Sequence, residues 1–562
     1  MYSRREFLQV TAATAAILGT NTPLGAWAAG QKITQDQLLD FEAKGNVTLL
    51  HLTDIHAQLV PVYFREPSVN LGVGEVNGLV PHITGQDFLT RYDLKRNTLD
   101  AYALTYLDFN EMAQVYGRVG GIDRMKTVVD AIRAERPENT LLLDGGDTWQ
   151  GSYTSYKTQG MDMVQVMNAL GVDAMTAHWE FTYGTDRVNE LIEALDFPFL
   201  VGNVRDTEWD EPVFEAINYF ERGGVKIAVI GQAFPYTPIA NPRYMIPEYS
   251  FGIREEEMAK NVEKARANGA ELVVVVSHNG FDTDRKMAQR VKGIDVLLSG
   301  HTHDAVPEAV QVGKTLLIAS GSHGKFLSRL DLDVQGGEVR DYSFRLIPIL
   351  SDVITPDPEM RKLVQEIRAP HEQELRRELA KTESTLLRRG NFNGTFDDLI
   401  CDALLEERDA QIALSPGFRW GASLLPGQAI TVEDVHNMTS ITYPAAYRSG
   451  MTGNTLKEVL EDVADNLFNK DPYYQQGGDM VRVGGLGYTI NPNGTAGNRV
   501  SNMQLLETGE PIQASKEYTV AGWASVNEGT EGPAIWDVVT NYLEKKQSVN
   551  ITPRDHVKVT GV

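Results

Sequence analysis

The strongest constraint in this chain is where its aspartates and histidines fall relative to its apolar runs. Residues 47–52, 140–143, 225–230, 272–276, 296–298 and 316–319 are short, nearly unbroken stretches of Val, Leu and Ile, and they read as strands buried on both faces. Helical patterns, such as 121–136 and 254–268, lie between them, which predicts a layered α/β domain built on parallel sheet. Several runs end in the same kind of residue. The first continues into Thr53-Asp54-Ile55-His56, the second into Gly145-Gly146-Asp147, and later ones into His278-Asn279-Gly280 and His301-Thr302-His303-Asp304. Ala177-His178-Trp179-Glu180 falls between, and five of the eleven histidines lie in these segments. Open α/β sheets build their sites at the carboxyl ends of strands, so one pattern predicts both the architecture and the position of the chemistry.

The residue types specify that chemistry further. A pair of divalent cations needs imidazole and carboxylate donors, one carboxylate able to bridge, and open positions for water and substrate. Asp54-x-His56 and His301-x-His303 each place two donors on one side of an extended segment, because alternate residues share a face. Imidazole with carboxylate suits Mn, Fe or Zn, and Cys401, the one cysteine, excludes both a thiolate zinc cluster and an internal disulfide. The net charge of -24 opposes nucleic-acid binding, although a metal ion can reverse the field inside one cleft.

The first residues contain Arg4-Arg5-Glu6-Phe7-Leu8, a mild apolar run and Ala26-Trp27-Ala28, the pattern of a twin-arginine export signal over 1–28 with a periplasmic destination. No segment reaches the roughly 18 apolar residues of a membrane span, so no membrane insertion is expected. The catalytic domain is expected over 29–350, and an insertion at about 60–116, without clear periodicity, is expected to lie over the cleft mouth. A charged helical stretch broken at Pro370 reads as a linker over 351–381. A second α/β domain follows over 382–562, with helices at 396–407 and 456–467 and strands at 482–490 and 517–521.

The series Asp-Ile-His, Gly-Gly-Asp, His-Trp-Glu-Phe, Ser-His-Asn-Gly and Gly-His-Thr-His resembles the calcineurin-like metallophosphoesterases, in their 5'-nucleotidase subgroup. The resemblance implies a four-layer sandwich domain joined to a smaller substrate-binding domain of the 5'-nucleotidase type. Carried over residue by residue, it implies one ion held by Asp54, His56 and His303 and another by His178, His278 and His301, with Asp147 bridging as the central catalytic group. Arg419, in Ser415-Pro416-Gly417-Phe418-Arg419-Trp420-Gly421, falls where the family has an arginine facing the substrate; an interdomain ion pair is the other reading.

The third motif departs from the subgroup, which reads Gly-Asn-His-Glu-Phe-Asp. Here the metal-binding Asn is His178, the catalytic His is Trp179 and its Asp partner is Thr182. That pattern, with Gly145–Ser152 and Phe64–Gly72, is similar to the SoxB family of thiosulfohydrolases. The similarity implies a dimanganese hydrolase, with Zn or Fe compatible with the donors, that releases sulfate from a cysteine-bound thiosulfonate on the SoxYZ carrier. A sulfur leaving group needs little protonation, so loss of the His–Asp pair is tolerable for S–S cleavage. Trp149 and Trp179 either wall a narrow substrate tunnel or pack as core. The competing readings are a 5'-nucleotidase, with Tyr473, Tyr474 and Phe418 as candidates for stacking a nucleoside, and a non-catalytic binding protein on a decayed hydrolase fold.

Overall fold

The apolar runs become strands because each is covered on both faces, and the computed structural model, which describes residues 33–562, shows them as the centres of two sheets. The expected export segment at 1–28 lies outside the described residues. In the first sheet, Val47–Leu52, Thr140–Asp144 and Ala174–Met175 are parallel neighbours. The hairpin Phe326–Gln335 and Glu338–Pro348 continues it antiparallel from Val47–Leu52. In the second sheet, Val225–Gln232, Leu272–Ser277, Val296–Ser299 and Thr315–Ala319 are parallel in that order, with antiparallel edges Ile217–Arg222 and Val310–Val312. Helices Ile122–Glu135, Met161–Leu170 and Pro358–Arg368 pack together beside the first sheet, while Glu255–Ala267 and Phe281–Arg290 cover the second. This is the layered α/β architecture that the alternating pattern predicts, in the four-layer form that the family resemblance implies.

The chain divides into two compact units at different places from the expected ones. The first comprises the described residues up to Phe64, then Gly85–Gln150 and Lys157–Ala369; the second comprises Arg65–Thr84, Gly151–Tyr156 and Pro370–Val562. The continuous domain expected over 29–350 is therefore interrupted twice. Val69, Leu71 and Val73, spaced by two, pack into the second unit's core with Phe392, Leu456 and Met480, and the Leu71 amide donates to Asn391 Oδ1 at 2.6 Å. The remainder of the insertion is not irregular: it forms helices Gly85–Arg91, Leu99–Leu104 and Phe109–Tyr116. Helix Pro358–Arg368 packs on Ile122–Glu135 as part of the first unit, so the expected linker is a docked helix, and the boundary falls where Pro370 breaks it.

In the second unit, helices Thr395–Glu407 and Gly453–Phe468 cover both expected helices. The strand expected over 482–490 is two strands, Asp479–Gly484 and Leu486–Ile490, in different sheets. Gly485 separates them with φ +69°, and a Cβ there would meet the Gln411 carbonyl oxygen at 2.1 Å. A residue with a side chain could neither adopt that turn cheaply nor fit it.

Helix Leu99–Leu104 carries a carboxyl group into the core of the first unit. Burial pushes Asp100 up to about 7, and Arg345 offsets this only in part. Between about pH 4 and pH 7 the unfolded chain has released this proton while the folded chain keeps it, so stability falls as pH rises through that window and levels off above it. Asp100→Asn removes this slope. Its thermal midpoint should match the wild type near pH 4 and exceed it at pH 8, by up to about 4 kcal/mol in stability; a constant difference across the range would contradict this account.

Candidate metal centre

Loops from the carboxyl ends of both sheets of the first unit bring the histidines and aspartates together. Asp147, His178, His278 and His301 form one group whose donor atoms lie within 4.8 Å of one another, and Asp54, His56, Asp147 and His303 form a second. All seven residues are buried, and Asp147 is common to both groups. His278 Nε2 and His178 Nδ1 approach Asp147 Oδ2 at 3.0 and 3.2 Å, with His56 Nε2 at 3.7 Å. His303 Nε2 approaches Asp54 Oδ1 at 3.1 Å.

The loops hold these positions by backbone contacts and at a conformational cost. Asp54, His56, Asp147, His301 and His303 all have φ between +49° and +75°, the left-handed region that residues with a Cβ avoid. The amides of Asp54 and His56 donate to the carbonyls of Gly146 and Asp147 at 2.8 Å, which sews the first two loops together. The His301 amide donates to the Asp54 carboxylate at 3.1 Å. Gly300 must lack a side chain, because a Cβ would meet Thr53 Oγ1 at 2.4 Å and His278 Nδ1 at 2.9 Å.

Glu180 is a functional residue to which the sequence pattern assigns no role. Its carboxylate accepts the amides of Thr148 and His178 at 2.7 Å and those of Asp147 and Trp149 at 3.3 Å, so one side chain ties the 147–149 segment to His178. His323 is absent from the expected set altogether. It is buried, its ring lies 5.5 and 5.7 Å from those of His56 and His303, and it belongs to neither donor group. It follows strand Thr315–Ala319, so the rule that locates the other histidines at strand ends applies to it as well.

The donor set fits divalent ions. His178 Nε2 is buried without a hydrogen-bond partner. His56 Nε2 and His303 Nε2 face each other at 3.0 Å, an arrangement that a shared cation explains better than two imidazoles do alone. His278 Nδ1 lies 2.6 Å from the Gly145 carbonyl oxygen, so its proton belongs there and Nε2 is left to coordinate. The electrostatics agree. Burial disfavours charge on His278, yet Asp147 and Asp54 outweigh it and push this imidazole up to about 10; the cavity demands positive charge. Burial also opposes charge on Asp147, but His178 and His278 hold its carboxyl well below the usual range.

The remaining expected site residues divide. Trp179 is buried beside His178, ring centroids 5.3 Å apart, and its amide donates to Asp147 Oδ1 at 2.8 Å. Trp149 is fully buried and stacked on Phe199 at 5.8 Å, the arrangement of the core-packing alternative rather than of a substrate wall. Arg419 lies in the second unit, where its Nε is 3.4 Å from Asp479 Oδ1. Its acidic partner is in the same unit, so this pair is not an interdomain bridge.

Elemental analysis after loading with Mn²⁺ should find two ions per wild-type chain, about one for His303→Ala and none for Asp147→Ala. Glu180→Gln should retain the fold and weaken uptake by about tenfold, the usual loss when a ligand's supporting partner is removed. Chelation should lower the wild-type thermal midpoint, since ions bound only by the folded state stabilise it.

Comparison with known proteins places this centre in a family. Residues 376–540 match the family described as 5'-nucleotidase, C-terminal domain. Bovine 5'-nucleotidase is 26% identical over 491 residues, 77% of this chain and 82% of that protein. A solved 5'-nucleotidase precursor from Thermus thermophilus, 21% identical, shares the fold at a TM-score of 0.72 over 92% of this chain and 99% of that one. The solved sulfate thiohydrolase SoxB of the same organism, in complex with glycerol, is 36% identical with a TM-score of 0.89, covering 93% of this chain and 98% of that one. With this likeness over nearly all of its length, the chain belongs to the 5'-nucleotidase superfamily of metallophosphoesterases, as a SoxB-like hydrolase with a candidate metal site.

Proposed function

We propose that this protein is a thiosulfohydrolase that removes the terminal sulfonate from a cysteine S-thiosulfonate carried by a SoxYZ-type protein, in the periplasm after twin-arginine export, with two Mn²⁺ as its ions. The observation that carries this reading is Trp179 at the position where the resembling 5'-nucleotidases keep a catalytic histidine, in a chain whose likeness to SoxB spans almost its whole length. In the reaction, water adds to the sulfonate sulfur and an S–O bond forms. The S–S bond breaks with its electron pair leaving on the carrier's persulfide, and sulfate and two protons are released.

When bound, the ions would supply positive charge for the sulfonate oxygens and lower the pKa of the attacking water. The chain's own residues do the rest. Asp147 joins the two donor groups, and the Trp179 amide fixes its Oδ1. The indole of Trp179 has no proton to give a leaving group at neutral pH, which a persulfide does not require and an alkoxide does. We assign Arg419 to the sulfonate oxygens, which its planar fork suits better than an ammonium would.

The similarity to 5'-nucleotidases favours a second reading, hydrolysis of nucleotides. Phe418, a candidate for stacking a base, already has Trp420 on one face at 4.0 Å and 18°, and Trp523 edge-on at 5.7 Å. The Phe418–Trp420 spacing leaves no room for a base between those two rings, so a base stacked on Phe418 would have to use its other face.

The test is sulfate release from thiosulfonate-bearing carrier, run beside phosphate release from AMP. Sulfate release by the wild type and its loss in Asp147→Ala are expected, with AMP turnover slower by orders of magnitude. Rapid AMP turnover without sulfate release would establish the nucleotidase reading instead. Arg419→Lys should raise the carrier KM by about tenfold, by loss of the two-point contact.

A further inference from the structure

The two donor groups are backed by different rings. Phe234, buried behind the end of strand Val225–Gln232, stacks on the His301 imidazole with centroids 4.0 Å apart and planes at 27°. It also packs on His178 at 4.2 Å. It therefore touches two donor residues of one group, one from each sheet's set of loops. Its own backbone is pinned: its amide donates to the Ala177 carbonyl at 3.0 Å, and its carbonyl accepts from Thr237 Oγ1 at 2.9 Å. Ala233, just before it, is held on both backbone groups by the Asn203 side chain at 2.8 Å. Behind His56 and His303 the corresponding ring is His323, polar, bonded to Ser322 Oγ at 2.8 Å and resting on Phe64 at 4.6 Å.

We propose that Phe234 is a positioning residue that makes the two halves of the centre unequal, so that the group of Asp147, His178, His278 and His301 takes up its ion first and more tightly. Two physical effects act in the same direction. A rigid ring against His178 and His301 restricts their rotation, so less side-chain freedom is lost when an ion is bound. The apolar ring also offers no competing hydrogen bond to the imidazoles it backs, whereas the other half is backed by the polar ring of His323. The inference rests on the centre holding two ions and not on the identity of the substrate.

The experiment is calorimetric titration of Mn²⁺ into the metal-free protein, with equilibrium dialysis to count bound ions. The wild type should bind two ions in separable steps. Phe234→Ala should weaken the tighter step by about 10–100-fold and leave the weaker step within about twofold. Phe234→Leu, which keeps apolar volume but loses the flat ring face, should fall between, and it carries the test if the alanine variant does not fold. His323→Phe should leave the tighter step unchanged. Equal wild-type constants, or equal weakening of both steps by the Phe234 variants, would overturn the proposal. A wild type that binds no Mn²⁺ would overturn the two-ion centre itself, a result distinct from either of these.

Discussion

Two buried carboxylates, Asp54 and Asp147, set the terms for the first unit. Among the described residues their ion-pair partners are imidazoles, not lysines or arginines. A buried carboxylate without compensating positive charge is strongly unfavourable, and four imidazoles approach these two closely because the loops are arranged around a place for cations. The push of His278 up to about 10 is the same demand expressed through a proton.

Holding the donors there requires backbone that would not form by itself. Five of the seven donor residues have left-handed φ, at roughly 1 kcal/mol or more each, and the surroundings must impose that conformation. The imposition is visible in the amides that stitch the 54–57 and 146–148 segments, in the Glu180 carboxylate with its four amide donors, and in Gly300, where a Cβ has no room. The strain is concentrated at the site, while the strands behind it are regular and fully buried.

The third motif is where this chain departs from the 5'-nucleotidase pattern it otherwise resembles. With Trp179 and Thr182 in place of a histidine and its aspartate, the chain keeps the metal-binding arrangement and lacks that proton donor. Trp179 still contributes, through its amide on Asp147, and it packs against His178. Under the proposed function, the centre would serve a reaction that needs charge neutralisation more than acid catalysis.

The amino-acid pattern alone determined the central strands and the positions of the donors, because strands buried on both faces leave uninterrupted apolar runs and a site at strand ends leaves its His and Asp directly after them. It did not reveal the long hairpin Phe326–Pro348, whose apolar residues alternate with Arg, Asp and Glu, nor that a glycine would divert 482–490 into two sheets. The tertiary structure decided that Val69, Leu71 and Val73 serve the second unit's core, that Trp149 packs on Phe199, and that Phe234 and His323 back opposite halves of the centre. The reason is one of range: burial period and strand-end position are written in neighbouring residues, whereas which ring rests on which depends on segments brought together from distant parts of the chain.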